Sequence, residues 1–154
     1  MPFQKFNAED VGICLSILLP DPRTIEPSDV ERLIAACDRA GFSTLSLSPP
    51  LIRAVGVEQL QALLKKFEMT VRTIEGVIGW TNGPAMAKED TENALELASA
   101  LGADILLATT IAPVMDFDLA LQGMTVACTT AAARNVRIAI EFIPGTAIPD
   151  LATA

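Results

Sequence analysis

Hydrophobic residues along this chain recur with two periods, one of two residues and one of three to four. Successive side chains of a strand point to opposite faces, whereas a helix buries every third or fourth residue. The two-residue period predicts five strands, which begin near residues 11, 43, 69, 104 and 136. The longer period between them predicts four helices. Strand and helix therefore alternate along the chain.

Several residues mark the predicted boundaries of these elements. Ser28 and Glu31 have the S-x-x-E spacing of a capping box at the start of the first helix. Pro49 closes the second strand, because proline cannot extend the hydrogen-bonded ladder. Gly102 is placed to end the third helix, and Asp116 to cap the start of the fourth.

The spacing of the strands and the polarity of their faces indicate the fold class. One strand and one helix in every ~30 residues is typical of a parallel sheet with helical crossovers. A doubly wound sheet has central strands that are apolar on both faces, whereas the inner face of a barrel strand can be small or polar. Strands one, two and five are apolar on one face only. The pattern therefore predicts an α/β fold, a partial (β/α) TIM barrel of about five parallel strands with four crossover helices.

The length of the chain sets the expected domain organisation. A complete barrel has eight units and about 250 residues, whereas this chain has 154 residues. We expect residues 1–154 to form a single domain, the N-terminal portion of such a barrel. The first and last strands would expose hydrogen-bonding edges, which invite pairing with another chain. We therefore expect a homo-oligomer.

Charge and residue content exclude several classes of function. The net charge of −8 disfavours nucleic-acid binding, which needs a positive surface. The chain has no histidine, so it cannot supply a Ser-His or Cys-His nucleophile pair, and it has no glycine-rich nucleotide-binding motif. No run of about 18 apolar residues predicts a membrane span, and we expect a cytoplasmic protein. The three cysteines have no metal-site spacing and are expected to be buried, reduced thiols: Cys14, Cys37 and Cys128.

The fifth predicted strand, at residues 136–145, carries the strongest candidate for chemistry. Ile138 and Ile140 share one face, and Arg137 and Glu141 share the other. Ligands bind at the carboxyl ends of parallel strands in α/β folds, which is where Glu141 stands. A carboxylate flanked by apolar residues is costly to bury unless a metal or a hydrogen-bond donor meets it. We therefore interpret Glu141 as a catalytic residue.

Other residues project to the same predicted rim. Glu75 ends the third strand, where it is either a second catalytic carboxylate or a solvated loop residue. Trp80 follows in a turn-rich loop, as either a wall of a substrate pocket or a lid over the core. The remaining predicted pocket residues carry hydroxyl groups: Ser16, Ser48 and Thr110.

Three stretches, at residues 29–47, 94–110 and 135–144, resemble the N-terminal part of the sugar phosphate isomerase/epimerase family, whose fold is a xylose-isomerase-like barrel. The resemblance covers nearly the whole chain but only about five of eight barrel units. It implies that Glu141 binds a divalent metal, such as Mn, Mg, Zn or Co, and takes part in proton transfer. The other ligands would come from strands six to eight, so we expect this chain alone to bind no metal and to be inactive.

The chain also departs from that family. Ser46 and Ser48 stand where an acidic residue is frequent, and no histidine ends strand two or three. The missing histidines disfavour the related zinc-dependent abasic-site endonucleases. The leading hypothesis is a metal-dependent isomerase or epimerase, or a dehydratase of the same family, that acts on a sugar or polyol. The alternative is a non-catalytic half-barrel that serves in assembly or in binding a small molecule.

Overall fold

The strands follow the same order in the sheet as in the sequence. A computed structural model describes residues 11–19 and 24–153, and in that part of the chain the sheet order is β1-β2-β3-β4-β5. The strands are β1 (Ile13–Cys14), β2 (Thr44–Leu47), β3 (Thr70–Val77), β4 (Ile105–Thr109) and β5 (Arg137–Glu141). The helices are α1 (Pro27–Arg39), α2 (Pro49–Val55), α3 (Val57–Lys66), α4 (Pro84–Leu101) and α5 (Phe117–Ala132). Five parallel strands alternating with helices confirm the predicted partial TIM barrel.

The first strand is shorter than predicted. A strand through residues 11–17 was expected, but β1 has two residues and a 3-10 turn, Leu15–Leu18, follows it directly. Leu15 is fully buried, whereas Ile17 is exposed. Three residues per turn place side chains two apart on different sides of the backbone, so the apolar alternation does not form one strand face here.

The predicted capping box of α1 is wrong. The helix begins at Pro27, its N-cap is Glu26, and no side chain caps its first turn. Proline suits the first helical position because its fixed φ is already helical and its missing N–H would have no helical partner. Ser28 consequently lies inside the first turn.

The crossover from β2 to β3 contains two helices, where one was predicted. β2 closes before Pro49 as expected, but Pro49 and Pro50 then occupy the first turn of α2. Ser48 is its N-cap residue, and the Ser48 carbonyl accepts from the Ile52 N–H at 3.1 Å. Gly56, at φ +88°, separates α2 from α3. The two prolines therefore end a strand and begin a helix.

The predicted end of α4 and the predicted start of α5 are confirmed. Gly102 adopts the left-handed conformation after α4, and its N–H donates to the Ala98 carbonyl. Asp116 caps α5, because its carboxylate accepts from the Leu119 N–H at 3.0 Å. Within the described ranges, no helix is long and apolar enough to cross a membrane.

The chain divides into two compact units, one ending at Arg72 and the other beginning at Thr73. The boundary falls inside β3, and a single domain for residues 1–154 stays a prediction. The first unit has an aliphatic core, Leu15, Val30, Ile34, Leu45, Leu47 and Leu60. The second has a core richer in alanine, Ile74, Trp80, Ala94, Leu106, Ala108 and Ala127.

The cysteines differ from their prediction. Cys37 is buried in α1, and burial raises the pKa of its thiol. Cys14 is only partly buried, and Cys128 is exposed on α5. The expectation of three buried thiols therefore holds for Cys37 alone, because Cys128 lies on the outward side of an amphipathic helix.

Candidate functional site

Glu75 and Glu141 lie on the same face of the sheet in the second unit, on either side of β4. Glu75 is paired with Leu107, which is paired with Ala139. Glu141 is two residues beyond Ala139 in β5, and Thr109 of β4 is its ladder partner. Strand spacing and rise put the two glutamate Cα atoms about 12 Å apart, close enough for long side chains to approach each other.

The two carboxylates interact electrostatically. Partial desolvation raises the pKa of Glu141 above its ordinary 4.5, and the negative charge of Glu75 raises it further. As a residue, Glu141 nevertheless remains exposed, whereas Glu75 is half-buried. The like charge favours either a bound proton or a bound cation at Glu141.

A β-bulge follows Glu75. The register shifts between Glu75 and Val77, and the intervening Gly76 has φ +90°. One extra residue in β3 re-aims the side chains that follow, so Val77 points into the core although it is two residues after Glu75. Bulges of this kind often lie beside functional sites.

The predicted pocket residues Ser16 and Ser48 are in direct contact within the first unit. The Ser16 hydroxyl donates to Ser48 Oγ at 2.8 Å, and both residues are half-buried. Ser16 and Ser48 each lie two residues after the paired residues Cys14 and Ser46. Ser48 directly follows the end of β2, whereas Ser16 lies in the 3-10 turn and not at a strand end. The role of both residues in a substrate pocket stays a prediction.

Trp80 lies in the core of the second unit. It belongs to a 3-10 turn, Gly79–Asn82, and only 3% of its surface is exposed. The indole N–H donates to the Thr109 carbonyl at 3.0 Å. Asp90 of α4 anchors the start of the turn by accepting from the Gly79 N–H at 2.6 Å. Trp80 thus fixes the end of β4 beside Glu141, and its role as a pocket wall stays a prediction.

Thr110 and Thr109 differ in their relation to Glu141. Thr110, the predicted pocket residue, follows β4, is 1% exposed, and its hydroxyl has no hydrogen-bond partner among the described residues. Thr109 is the residue opposite Glu141, and the sequence reasoning missed it. Counting by twos from Ile105 would have found Thr109, since Ile105, Leu107 and Thr109 share a strand face.

Metal ligands are sparse in the described residues. No group of three or more histidine, cysteine, aspartate or glutamate side chains comes together in residues 11–19 and 24–153. A groove of about 660 Å³ runs between α4 and α5, but the residues that line it, including Lys88, Glu92 and Arg134, are not site candidates. In the second unit, the candidate residues Glu75 and Glu141 are side chains at or near the ends of strands.

Neither a protein-family model nor a curated protein matches the sequence. Solved structures do resemble the fold. A xylose isomerase domain protein from Salmonella typhimurium LT2 has a TM-score of 0.69 at 14% identity, over 91% of this chain and 52% of that one. The complex of D-allulose 3-epimerase from Methylomonas sp. with D-allulose has a TM-score of 0.68 at 16% identity, over 88% and 51%.

Two further structures share the fold. The IolI protein with a bound zinc atom has a TM-score of 0.66 at 12% identity, over 92% of this chain and 55% of that one. A family 2 AP endonuclease from Brucella melitensis has a TM-score of 0.66 at 17% identity, over 89% and 58%. The shared fold therefore does not choose between sugar and nucleic-acid substrates.

The chain spans about half the length of these solved structures. Their identity to the chain, 12–17%, establishes a shared fold and nothing finer. The chain has the fold of part of a xylose-isomerase-like TIM barrel.

Proposed function

We propose that this chain forms part of a divalent-metal-dependent sugar or sugar phosphate isomerase or epimerase, with Glu141 and Glu75 as its catalytic carboxylates. The observation that carries the proposal is the position of both glutamates on one sheet face, with the charge of Glu75 raising the pKa of Glu141. Paired carboxylates in different environments are a common arrangement for proton transfer.

The donors of this face suit a hard divalent cation. Carboxylate oxygens bind Mg²⁺ and Mn²⁺ readily and also occur among zinc ligands. Glu141 would hold the metal, which supplies polarisation of the substrate's carbonyl and hydroxyl oxygens when it is bound. A cation would also relieve the repulsion between Glu141 and Glu75. The bound zinc of IolI supports a metal in this fold.

A carboxylate of the pair would move the proton. It removes hydrogen as a proton from the carbon beside the substrate carbonyl. Return of that proton to the former carbonyl carbon, with transfer of the hydroxyl proton to the former carbonyl oxygen, gives an isomerisation. Return to the opposite face of the same carbon gives an epimerisation. Loss of a neighbouring hydroxyl as water would instead give a dehydration. Glu75 is the half-buried member of the pair, whereas Glu141 is exposed.

The hydroxyl-bearing residues would orient a polyhydroxylated substrate. Ser16 and Ser48 already form one hydrogen bond, and each oxygen has further capacity to accept or donate. In the second unit, Trp80 and Thr110 are proposed separately as substrate-pocket residues. The D-allulose in the related epimerase complex supports a small sugar or polyol as the substrate class. We propose that the protein binds neither nucleic acid nor membranes. We also propose that it is located in the cytoplasm.

The proposal is tested in an assembled barrel that contains this chain. We expect solvent deuterium to enter a ketose substrate beside its carbonyl in the presence of Mn²⁺, and Glu141→Gln to slow that exchange by about 10²-fold or more. Glu96→Gln on α4 is the matched control, because it removes the same charge from an exposed helix surface. Unchanged exchange in Glu141→Gln, with native circular dichroism, would refute the catalytic role.

The alternative function is a non-catalytic half-barrel used for assembly or for small-molecule binding. The exposed apolar residues of β5 favour it, since Ile140 and the following Phe142 both reach solvent. In that case Glu141 is structural, and Glu141→Gln would lower the thermal midpoint of the assembled protein. If Glu141→Gln keeps its fold but loses deuterium exchange, the enzymatic function is supported. If Glu141→Gln loses its fold, the structural role is supported.

A further inference from the structure

Asp90 lies on α4 at the border of the helix face that packs into the second unit. The buried stripe of this face includes Ala87 and Thr91, and Asp90 is half-buried beside it. Its Oδ2 atom accepts from two consecutive backbone N–H groups, that of Gly79 at 2.6 Å and that of Ile78 at 3.3 Å. An ionised acceptor makes stronger hydrogen bonds than a neutral one, so Asp90 ties α4 to the chain just after β3.

The two N–H groups that Asp90 binds lie close to Glu75 in the sequence. Between them and Glu75 is the β-bulge at Gly76, whose φ is +90°. Glycine has more conformational freedom than other residues, so the bulge is the point at which the end of β3 bends most easily. Asp90 fixes the chain on the far side of this bulge from Glu75.

The same turn reaches β4 through Trp80. The indole N–H donates to the Thr109 carbonyl at 3.0 Å, and Thr109 is the ladder partner of Glu141. The ladder between β3 and β4 ends one residue earlier, where Val77 is paired with Ala108. Trp80 therefore continues the connection between the two strands past the end of their ladder, to the residue opposite Glu141.

The turn has little room to shift. Its backbone at Gly79 lies so close to α4 that an added Cβ atom would be 2.8 Å from both Asp90 Oδ2 and the Met86 carbonyl oxygen. From the other side, Gly123 of α5 packs against the Trp80 carbonyl. The turn is therefore held between two helices, and the close packing transmits the position of one to the other.

We propose that Asp90 is a positioning residue for Glu75 and Glu141. By holding the turn Gly79–Asn82, it fixes the chain on both sides of β4, next to Glu75 through the bulge and next to Glu141 through the indole bond. Misplacement of a reacting group by about 1 Å can slow a reaction by about 10²-fold. The consequence for catalysis rests on the proposed function, whereas the anchoring of the turn does not.

Hydrogen exchange of the Trp80 indole tests the anchor. Trp80 is the only tryptophan in the chain, so its indole N–H gives a single NMR signal. Asp90→Ala should speed the exchange of this group by about 10-fold or more, because the turn that carries it loses two hydrogen bonds. Glu89→Ala removes a carboxylate from an exposed position of the same helix and should leave the rate unchanged. Unchanged indole exchange in Asp90→Ala would overturn the proposal.

The kinetics of deuterium incorporation in the assembled barrel test the positioning role. At saturating Mn²⁺, Asp90→Ala should lower kcat by about 10²-fold and change KM much less, because displaced carboxylates slow proton transfer more than they weaken substrate binding. Asp90→Asn keeps a side-chain oxygen that accepts from the two N–H groups, so it should restore most of the rate. Glu89→Ala should match wild type.

An Asp90→Ala barrel with native circular dichroism and the wild-type kcat would overturn the positioning role. If that variant does not fold, Asp90→Glu takes its place. Its longer side chain displaces Gly79 and should lower kcat by about 10-fold, and an unchanged kcat would equally overturn the role. A wild-type barrel that incorporates no deuterium would instead refute the proposed function, and the indole exchange would then decide whether Asp90 anchors the turn.

Discussion

Glu141 is an accessible carboxylate whose protonation depends on its neighbours. Partial desolvation and the charge of Glu75 both raise the pKa of Glu141. A group whose pKa is higher in the folded than in the unfolded chain binds more protons in the folded state between those two values. The free energy of unfolding therefore falls as pH rises through that window.

A comparison with Glu141→Gln isolates this effect. The amide stays neutral, so we expect wild type to lose stability relative to Glu141→Gln as pH rises through 4.5 and on to the raised pKa. Urea unfolding from ~pH 3 to ~pH 7 measures the difference.

Glu75→Gln is the control for the electrostatic cause. It removes the like charge while desolvation remains, so the pH-dependent loss attributed to Glu141 should become smaller. A difference between wild type and Glu141→Gln that does not vary with pH would contradict the shifted pKa.

Thr110 contains a buried hydroxyl that no described residue satisfies. Valine has nearly the same shape without the polar atom, so Thr110→Val should raise the free energy of unfolding by about 1 kcal/mol. Thr91→Val is the contrasting control, because the Thr91 hydroxyl donates to the Ala87 carbonyl at 2.6 Å. Its replacement should lower stability. Chemical denaturation of both variants checks the pair, and a destabilised Thr110→Val would show that the hydroxyl has a partner.

At the scale of elements, α5 approaches the turn that contains Trp80 unusually closely. A Cβ atom added at Gly123 would clash with the Trp80 carbonyl oxygen. Only glycine allows this approach, and the neighbouring atom is backbone, which cannot swing aside. The contact holds Trp80 where its indole N–H meets the end of β4.

Gly123→Ala should therefore destabilise the protein, although alanine favours a helix by about 1 kcal/mol over glycine. The clash should outweigh that gain and leave a net loss of about 2 kcal/mol. Gln122→Ala, an exposed neighbour on the same helix, should be neutral or slightly stabilising. Thermal unfolding of the two variants tests the contact. Equal midpoints would show that α5 and the turn do not pack this closely.

At the scale of the whole molecule, the chain has the fold of about half of its structural relatives. Two strand-end carboxylates separated by a strand are too few to hold a divalent ion tightly. We expect titration calorimetry of the 154-residue chain with Mn²⁺ to show dissociation in the millimolar range at best. The Glu141→Gln variant should remove the remaining heat. Micromolar binding would mean that this chain already contains a full ligand set.

The patterns of the sequence predicted the five strands, the alternation of strand and helix, the end of α4 and the start of α5. These features depend on local rules, such as the side-chain period of a strand and the capping of a helix. Prediction from the sequence was less accurate at prolines, because a proline can either end a strand or begin a helix. Pro27 displaced the predicted cap of α1, and Pro49 began an additional helix, because proline suits the first turn of a helix as well as the end of a strand.

The sequence by itself determined that Glu141 ends a strand on the face opposite Ile138 and Ile140, because alternation along a strand depends on nothing outside it. Only the tertiary structure decided which groups come together: Glu75 near Glu141, Thr109 opposite Glu141, and Trp80 hydrogen-bonded to the end of β4. These contacts depend on the strand register, on the β-bulge at Gly76 and on the close approach of Gly123 to Trp80. No local pattern encodes such long-range contacts, since each joins residues far apart in sequence.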